Sequence, residues 1–282
     1  MPDQPKTDHA SRMSNHKKIQ ERSEYSHTRA GGGVYIYGKH ALMEALLHAP
    51  RIVKKVFLAP EANDKEMRDL LQKHKVPFTF MKGKESSRMV GNDASHQGVI
   101  AIADTTALLI DLKEFTANLV PTENTALVLL HELTDPHNVG AIIRSAAAFG
   151  AAGVLMPQHR QAPVTGSVVK ASAGMAFRVP LVAIGNINYT IDVLKNIGFR
   201  TYALAMDGKR ILTKEKFDAP ALFVIGNEGE GIRQKTFERA DVILSIPMDP
   251  RCESLNASVS AAVVLYQWSA QHTGALKAHK TS

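Results

Sequence analysis

Cysteine is almost absent: Cys252 is the one thiol in 282 residues. A single cysteine leaves no disulfide framework and no multi-cysteine metal site within the chain, so a reducing cytoplasm is the expected setting. No apolar run is long enough to span a bilayer, so no membrane partner is expected. The opening MPDQPKTDHASRMSNHKK has no apolar core, which argues against a secretory signal peptide, and its scattered acids argue against a mitochondrial transit peptide. No internal repeat is seen, and no low-complexity run follows the first 33 residues. Two common phosphate-binding signatures are also missing. The loop Gly226-Asn-Glu-Gly-Glu-Gly231 is not followed by the Gly-Lys-Ser/Thr of a Walker A loop. Its glycine order differs from the dinucleotide fingerprint GxGxxG.

What is present is an apolar content of 44%, that of a globular protein, in a length that suits one large or two ordinary domains. The net charge of +7 favours a polyanionic partner such as nucleic acid. Residues 1–33 read as a disordered basic tail, either a solubilising extension or a salt-sensitive RNA tether. Residues 34–104 form a compact α/β module with strands expected at Val53–Leu58, Val76–Met81 and Val99–Ala103, and a second helix starting from Pro60 and Asn63. Its polar segment carries Lys82, Lys84 and Arg88, which suit RNA phosphates or plain solvation; His96 reads as a turn or packing residue. Residues 105–123 read as a linker that holds a short helix.

From 124 to 282 strand and helix alternate, which predicts a parallel α/β sheet. The expected strands are Ala126–Leu130, Gly153–Met156, Leu181–Ile184, Arg200–Ala205, Leu222–Ile225 and Val242–Ile246, short and rich in Val, Leu and Ile. Ligands bind beyond the carboxyl ends of such strands, and three stretches there carry polar chemistry. In Asp135-Pro-His-Asn-Val-Gly-Ala-Ile-Ile-Arg144, Asn138 is placed to cap a helix, and Gly140 leaves room on its face for Arg144 to fold towards the ligand edge. A cap followed by a solvated arginine describes the same segment equally well. In the glycine loop, Glu228 and Glu230 disfavour phosphate and suit a cationic or hydroxyl-bearing ligand. In Glu253-Ser-Leu-Asn-Ala-Ser258, Ser254 or Asn256 is a candidate cap, yet three hydrogen-bonding side chains exceed what one cap requires. Cys252 has no histidine spaced near it to activate it and reads as incidental.

Taken together, DPHNVGAIIRSAAAFG, IGNEGEGI and SIPMDPRCESLNASVSAA resemble the three ordered motifs of the SpoU/TrmH family of RNA ribose 2′-O-methyltransferases. The resemblance covers nearly all of 34–270. It implies a trefoil-knotted parallel-sheet domain, a homodimer with its active site near the subunit interface, and S-adenosylmethionine as methyl donor with no metal. It also implies that Gly226, Asn227, Ile246 and Leu255, with Leu204 and Ala205, bind the donor. Asn138, Glu228, Ser254 and Asn256 would then orient the groups around Arg144, which the family assigns to activating the hydroxyl. The 34–104 module, with GKHALMEALL and HQGVIA, looks like the ribosomal-protein-like substrate-binding domain typical of the bacterial 23S rRNA guanosine enzymes. The family's tRNA enzymes usually lack that domain. The alternatives are a tRNA ribose methyltransferase, a non-catalytic RNA-binding or ribosome-assembly protein, and, less well matched to the basic charge, a small-molecule methyltransferase. The long tail and the bulky Pro250-Arg251-Cys252 depart from the family pattern.

Overall fold

A computed structural model describes residues 33–82, 85–91, 94–227 and 229–277. Except for Gly33, the 1–33 tail lies outside the described residues, as do Lys84 and Glu228.

The smaller module runs β1 (Val34–Tyr37), α1 (Lys39–His48), β2 (Val53–Leu58), α2 (Lys65–Lys73), β3 (Phe78–Phe80), α3 (Glu85–Val90) and β4 (Val99–Ala103). Ala41, Leu42, Ala45 and Leu46 form the buried face of α1. A 3-10 turn at Pro60–Ala62 precedes α2, which starts only after Asp64, whose carboxylate accepts from the Met67 N–H at 2.9 Å. The sheet order is β1-β4-β2-β3, with β4 antiparallel to both neighbours and β3 parallel to β2. β3 is shorter than the expected Val76–Met81, because it is an edge strand with both Phe78 and Phe80 exposed. His96 accepts the Gly98 N–H on Nδ1 at 3.0 Å, a turn-forming bond.

The segment expected as a linker is structured. A 3-10 turn at Thr105–Leu108 leads into β5 (Leu109–Asp111) and α4 (Leu112–Ala117). β5 pairs in parallel with β8 (Leu181–Ile184) and forms one edge of the larger sheet. Two half-buried residues and an exposed one give too little alternation to mark such a strand in sequence.

The rest of the larger sheet comprises β6 (Ala126–Leu130), β7 (Gly153–Pro157), β9 (Arg200–Leu204), β10 (Arg210–Ile211), β11 (Ala221–Ile225) and β12 (Val242–Ser245). Its eight strands run in the order β10-β12-β9-β11-β6-β7-β8-β5, and every pair is parallel. Helices α5 (Pro136–Ala148), α6 (Gly166–Ala171), α7 (Ile187–Asn196), α8 (Gln234–Phe237), α9 (Ala257–Gln271) and α10 (Thr273–Lys277) complete it. Alternate strand residues feed two cores. Val128, Phe223 and Tyr202 meet Ile142, Ile143, Val264 and Trp268 of α5 and α9 on one face. Leu127, Leu129, Leu222 and Val224 meet Ile191 and Leu194 of α7 on the other. Burial on both faces explains why β6 and β11 are continuous apolar runs.

The modules are joined by chemistry as well as by chain. Buried Glu44 of α1 accepts two hydrogen bonds from Arg178, Nε at 2.5 Å and Nη2 at 2.9 Å. Burial works to raise the Glu44 pKa, but the hydrogen bonds and charge of Arg178 outweigh it and hold the carboxyl below its ordinary value.

Candidate functional site

The strand order reverses between β11 and β6, and the carboxyl ends of β9, β11 and β12 face a cavity of about 430 Å³ beside that point. Its wall contains Leu204, Ala205, Gly226, Asn227, Ile246 and Leu255, together with Ser254 and Asn256. The residues expected to bind a donor thus share one cavity, although they come from distant parts of the chain. Met206, Leu244, Met248 and Ser260 also line it. Met206 and Leu244 were within reach of the strand-end rule. Ser260 sits one turn into α9 and carried no signal beyond helix period.

The glycine loop owes its shape to two features. A Cβ on Gly226 would stand 2.8 Å from the Gly231 carbonyl carbon, so only glycine lets the loop fold back on itself. Asn227 then locks the fold: its Oδ1 accepts the Gly229 N–H at 2.8 Å, and its Nδ2 donates to the Glu132 carbonyl at 2.8 Å. The Asn227 side chain is therefore occupied in holding the loop to the end of β6. Glu132, with φ of 58°, takes Arg233 at 2.8 Å from the other side of the loop. Beside it His131 is buried with no partner on Nδ1, and burial pushes its pKa down. Glu132 and Arg233 were not singled out in the sequence, where an isolated charged pair a hundred residues apart leaves no pattern.

Asn138 does not cap its helix. Asp135 does, accepting the His137 N–H at 2.9 Å, with Pro136 in the first turn. Asn138 lies within that first turn, 8% exposed, and its Oδ1 accepts from Asn256 Nδ2 at 3.0 Å. Asn256 is the cap of α9: its Oδ1 accepts the N–H of Ser258 at 2.8 Å and of Val259 at 3.4 Å. One asparagine thus starts α9 and fastens it to the start of α5. Motifs 118 residues apart are stapled together at the cavity edge.

Gly140 serves a purpose other than the expected one. A Cβ there would meet Ala171 Cβ at 2.5 Å and the Val168 carbonyl oxygen at 2.7 Å, so the glycine permits close packing of α5 on α6. Arg144 is exposed on the outside of α5 and is not part of the cavity wall. Six residues past Asn138, it lies about 9 Å further along the helix axis. It has no hydrogen bond or ion pair among the described residues. Within this chain Arg144 thus stays outside the cavity, and the face Gly140 occupies is filled by α6. Arg251, in the bulky turn, folds back on Asp249 at 2.9 Å and 3.1 Å and stays outside the cavity. Those bonds hold Asp249 below the usual carboxylate range. Cys252 is exposed and its thiol donates to the Ser254 carbonyl at 3.2 Å.

Comparison with known proteins accounts for this arrangement. The model of the SpoU rRNA methylase family matches residues 125–266, and that of RNA 2′-O ribose methyltransferase substrate binding matches 35–107. The 23S rRNA (guanosine-2′-O-)-methyltransferase RlmB of Haemophilus influenzae is 34% identical over 85% of this chain and 98% of its own length. RlmB of Neisseria meningitidis is 33% identical over 82% of this chain and 92% of its own. The SpoU methyltransferase AviRb from Streptomyces viridochromogenes, in complex with the cofactor AdoMet, superposes with a TM-score of 0.72 at 23% identity, covering 90% of this chain and 97% of that one. An rRNA methyltransferase from Sinorhizobium meliloti gives 0.73 at 20% identity, over 94% and 95%. The two-module architecture and the parallel sheet are thus those of known SpoU methyltransferases, and the chain belongs to the SpoU rRNA methylase family.

Proposed function

We propose that this chain methylates the ribose 2′-hydroxyl of a guanosine in 23S rRNA, in the cytoplasm, as a homodimer. It is an S-adenosylmethionine-dependent RNA 2′-O-methyltransferase. The observation that carries the reading is the Asn256–Asn138 staple beside a cavity whose wall holds the glycine loop and the SLNAS turn. The cavity suits the donor: Leu204, Ile246, Met248 and Leu255 offer apolar contact to an adenosine, Glu230 and Ser254 supply polar groups at its edge, and Asn227 holds the glycine loop in shape. When bound, S-adenosylmethionine supplies an electrophilic methyl. The backbone near Gly226, Ile246 and Leu255 holds the donor, with Leu204 and Ala205 as wall, while Ser254 and Asn256 orient the ribose. Glu228, outside the described residues, is assigned to the same task by family resemblance.

Arg144 needs a second chain. The outer face of α5 presents Ala141, Arg144, Ser145 and Ala148, next to an apolar stripe on α9 with Val259 46% and Tyr266 62% exposed. Tyr266 packs edge-on against Phe149 at the end of α5, so the two helices offer one continuous surface. Such a surface suits an isologous two-fold interface. There, Arg144 of one protomer meets the cavity of the other. Making a free-base arginine at pH 7 costs at least roughly 7 kcal/mol. Positioning alone supplies roughly 7–11 kcal/mol of barrier reduction. Arg144 therefore orients the ribose and stabilises charge on the adjacent phosphate. The reading also carries the family's knotted backbone, in which the last helix passes through a loop. Its test is methyl transfer from labelled donor to unmodified 23S rRNA and to tRNA, with the modified nucleotide mapped. A single 2′-O-methylguanosine in 23S rRNA is expected; methylation of tRNA alone, or of neither, contradicts it.

A further inference from the structure

Among the described residues, five besides glycine adopt left-handed backbone: Lys75, Gln97, Glu132, Arg160 and Ala173. That conformation costs free energy in a residue with a side chain, so something must hold it. Lys75 and Ala173 have a local reason. They lie just past the ends of α2 and α6, where chains commonly turn this way. Gln97 shares a tight turn with Gly98, closed by the Val99 N–H to the His96 carbonyl at 2.8 Å. Glu132, with φ of 58°, and Arg160, with φ of 56°, end no helix. They follow β6 and β7, and Arg160 Nη1 stands 4.0 Å from Glu132 Oε2.

Glu132 grips the glycine loop at both ends. Its carbonyl accepts Asn227 Nδ2 at 2.8 Å, where the loop begins. Its carboxylate takes Arg233 Nη2 at 2.8 Å, just past where the loop ends. Between these points Gly229, Glu230, Gly231 and Ile232 line the donor cavity. Glu132 is not part of that lining, and its side chain is 18% exposed. The backbone that carries it is fixed on either side. The His131 N–H donates to the Ile225 carbonyl at 2.8 Å. The Leu133 N–H donates to Gln161 Oε1 at 3.0 Å, and the Leu133 carbonyl accepts the Ala162 N–H at 2.8 Å. One residue on an anchored stretch thus closes both ends of the loop.

We infer that Glu132 is a positioning residue for the methyl donor: its clasp on Asn227 and Arg233 holds the glycine loop in the shape that binds S-adenosylmethionine. The inference rests on the donor-cavity reading and deepens it. Strained residues persist where their surroundings over-determine them, and they gather at ligand clamps. Glycine would adopt this φ without cost. What glutamate adds is a carboxylate long enough to reach Arg233, in a charge-assisted and only partly solvated pair. Arg160 makes a longer contact to the same oxygen and adds less. A loop held in its binding shape loses less freedom when the ligand arrives, so affinity rises. Glu132 touches neither donor nor ribose. Its removal therefore weakens donor binding and spares the chemical step once donor saturates.

The test uses the full chain and a set of variants. Glu132→Asn suits left-handed backbone but is too short for Arg233. Glu132→Gln keeps the length and an acceptor and loses the charge. Arg233→Ala removes the partner, and the double variant Glu132→Asn with Arg233→Ala completes a cycle. Donor affinity is read by calorimetry, the chemical step by single-turnover methylation of 23S rRNA at saturating donor, and stability by melting. Donor affinity is expected to fall about ten-fold in Glu132→Asn, in Arg233→Ala and in the double variant alike, and about three-fold in Glu132→Gln. The single-turnover rate should stay within about two-fold of wild type. Glu132→Asn should melt within about 3 °C of wild type, because relief of the backbone offsets the lost pair. Lower melting temperatures with donor affinity unchanged in Glu132→Asn and Arg233→Ala would make the pair a fold support and overturn the inference. Losses that multiply to about a hundred-fold in the double variant would overturn it too, and either result leaves the methyltransferase reading intact. A wild-type chain that binds no S-adenosylmethionine overturns the donor-cavity reading itself.

Discussion

The two modules are both sheets layered with helices, yet only one of them builds the cavity proposed to take the donor. In the smaller, β4 runs antiparallel to β1 and β2 while β3 runs parallel to β2, so each edge mixes strand ends of both senses. In the larger, all strand pairs are parallel, and every carboxyl end reaches the same edge. Loops from residues as far apart as Leu204 and Asn256 therefore converge there. The smaller module offers surface instead: an edge strand with exposed Phe78 and Phe80, and tyrosines turned to the junction. Parallel topology concentrates chemistry, and mixed topology spreads recognition.

If that division holds, substitutions in the larger module strike the reaction and those at the junction strike stability or RNA binding. The largest effect is expected for Arg144→Ala: a fall in kcat of about a hundred- to a thousand-fold in single-turnover methylation at saturating RNA, with donor affinity unchanged. Arg144→Lys keeps the charge but loses the planar fork, so it restores little. A rise in KM for RNA at normal kcat would make Arg144 a binding residue only. Asn256→Ala removes the α9 cap and the bond to Asn138 together. A loss of about 2–3 kcal/mol in urea unfolding is expected, with weaker donor binding.

At the junction, Glu44→Gln breaks the paired bonds to Arg178 and costs about 1–2 kcal/mol, since Arg178 is itself half exposed. The Glu44 pKa is lower in the folded chain, so its contribution is complete above its ordinary value of 4.5 and is lost as pH falls through the folded value. The variant should flatten the acid limb of the stability curve. The smallest effect belongs to His131. Its folded pKa is depressed by burial, so stability is full above the ordinary 6.5 and declines as pH falls below it, when the unfolded chain takes up the proton. His131→Phe should remove that slope in melts between pH 7 and pH 5.5; an unchanged slope would assign it elsewhere.

Local pattern made much of this legible. The apolar runs of β6, β8 and β11 were readable because burial on both faces leaves no polar interruption. The SLNAS turn declared a cap, and Asn256 is that cap. What stayed hidden depends on distant partners. Asp135 rather than Asn138 caps α5, because Pro136 favours the first helical position and starts the helix three residues before a cap at Asn138 would. Gly140 answers to α6, and Asn227 to Glu132, contacts that no spacing along the chain encodes. β5 is three residues long and finds its place only through β8.

The central claim is that a donor cavity built by one chain works with Arg144 of a second. Mixing two inactive variants tests it most directly. Arg144→Ala spoils the arginine, and Gly226→Val spoils the glycine loop, where even a Cβ meets backbone at 2.8 Å. After the subunits are exchanged, half of the dimers are mixed, and each mixed dimer holds one intact site. Methylation should return to roughly a quarter of the wild-type rate, the share set by random pairing in a two-fold dimer. A mixture as inactive as its parents, in dimers shown to have exchanged, would contradict the shared site and return Arg144 to its own chain.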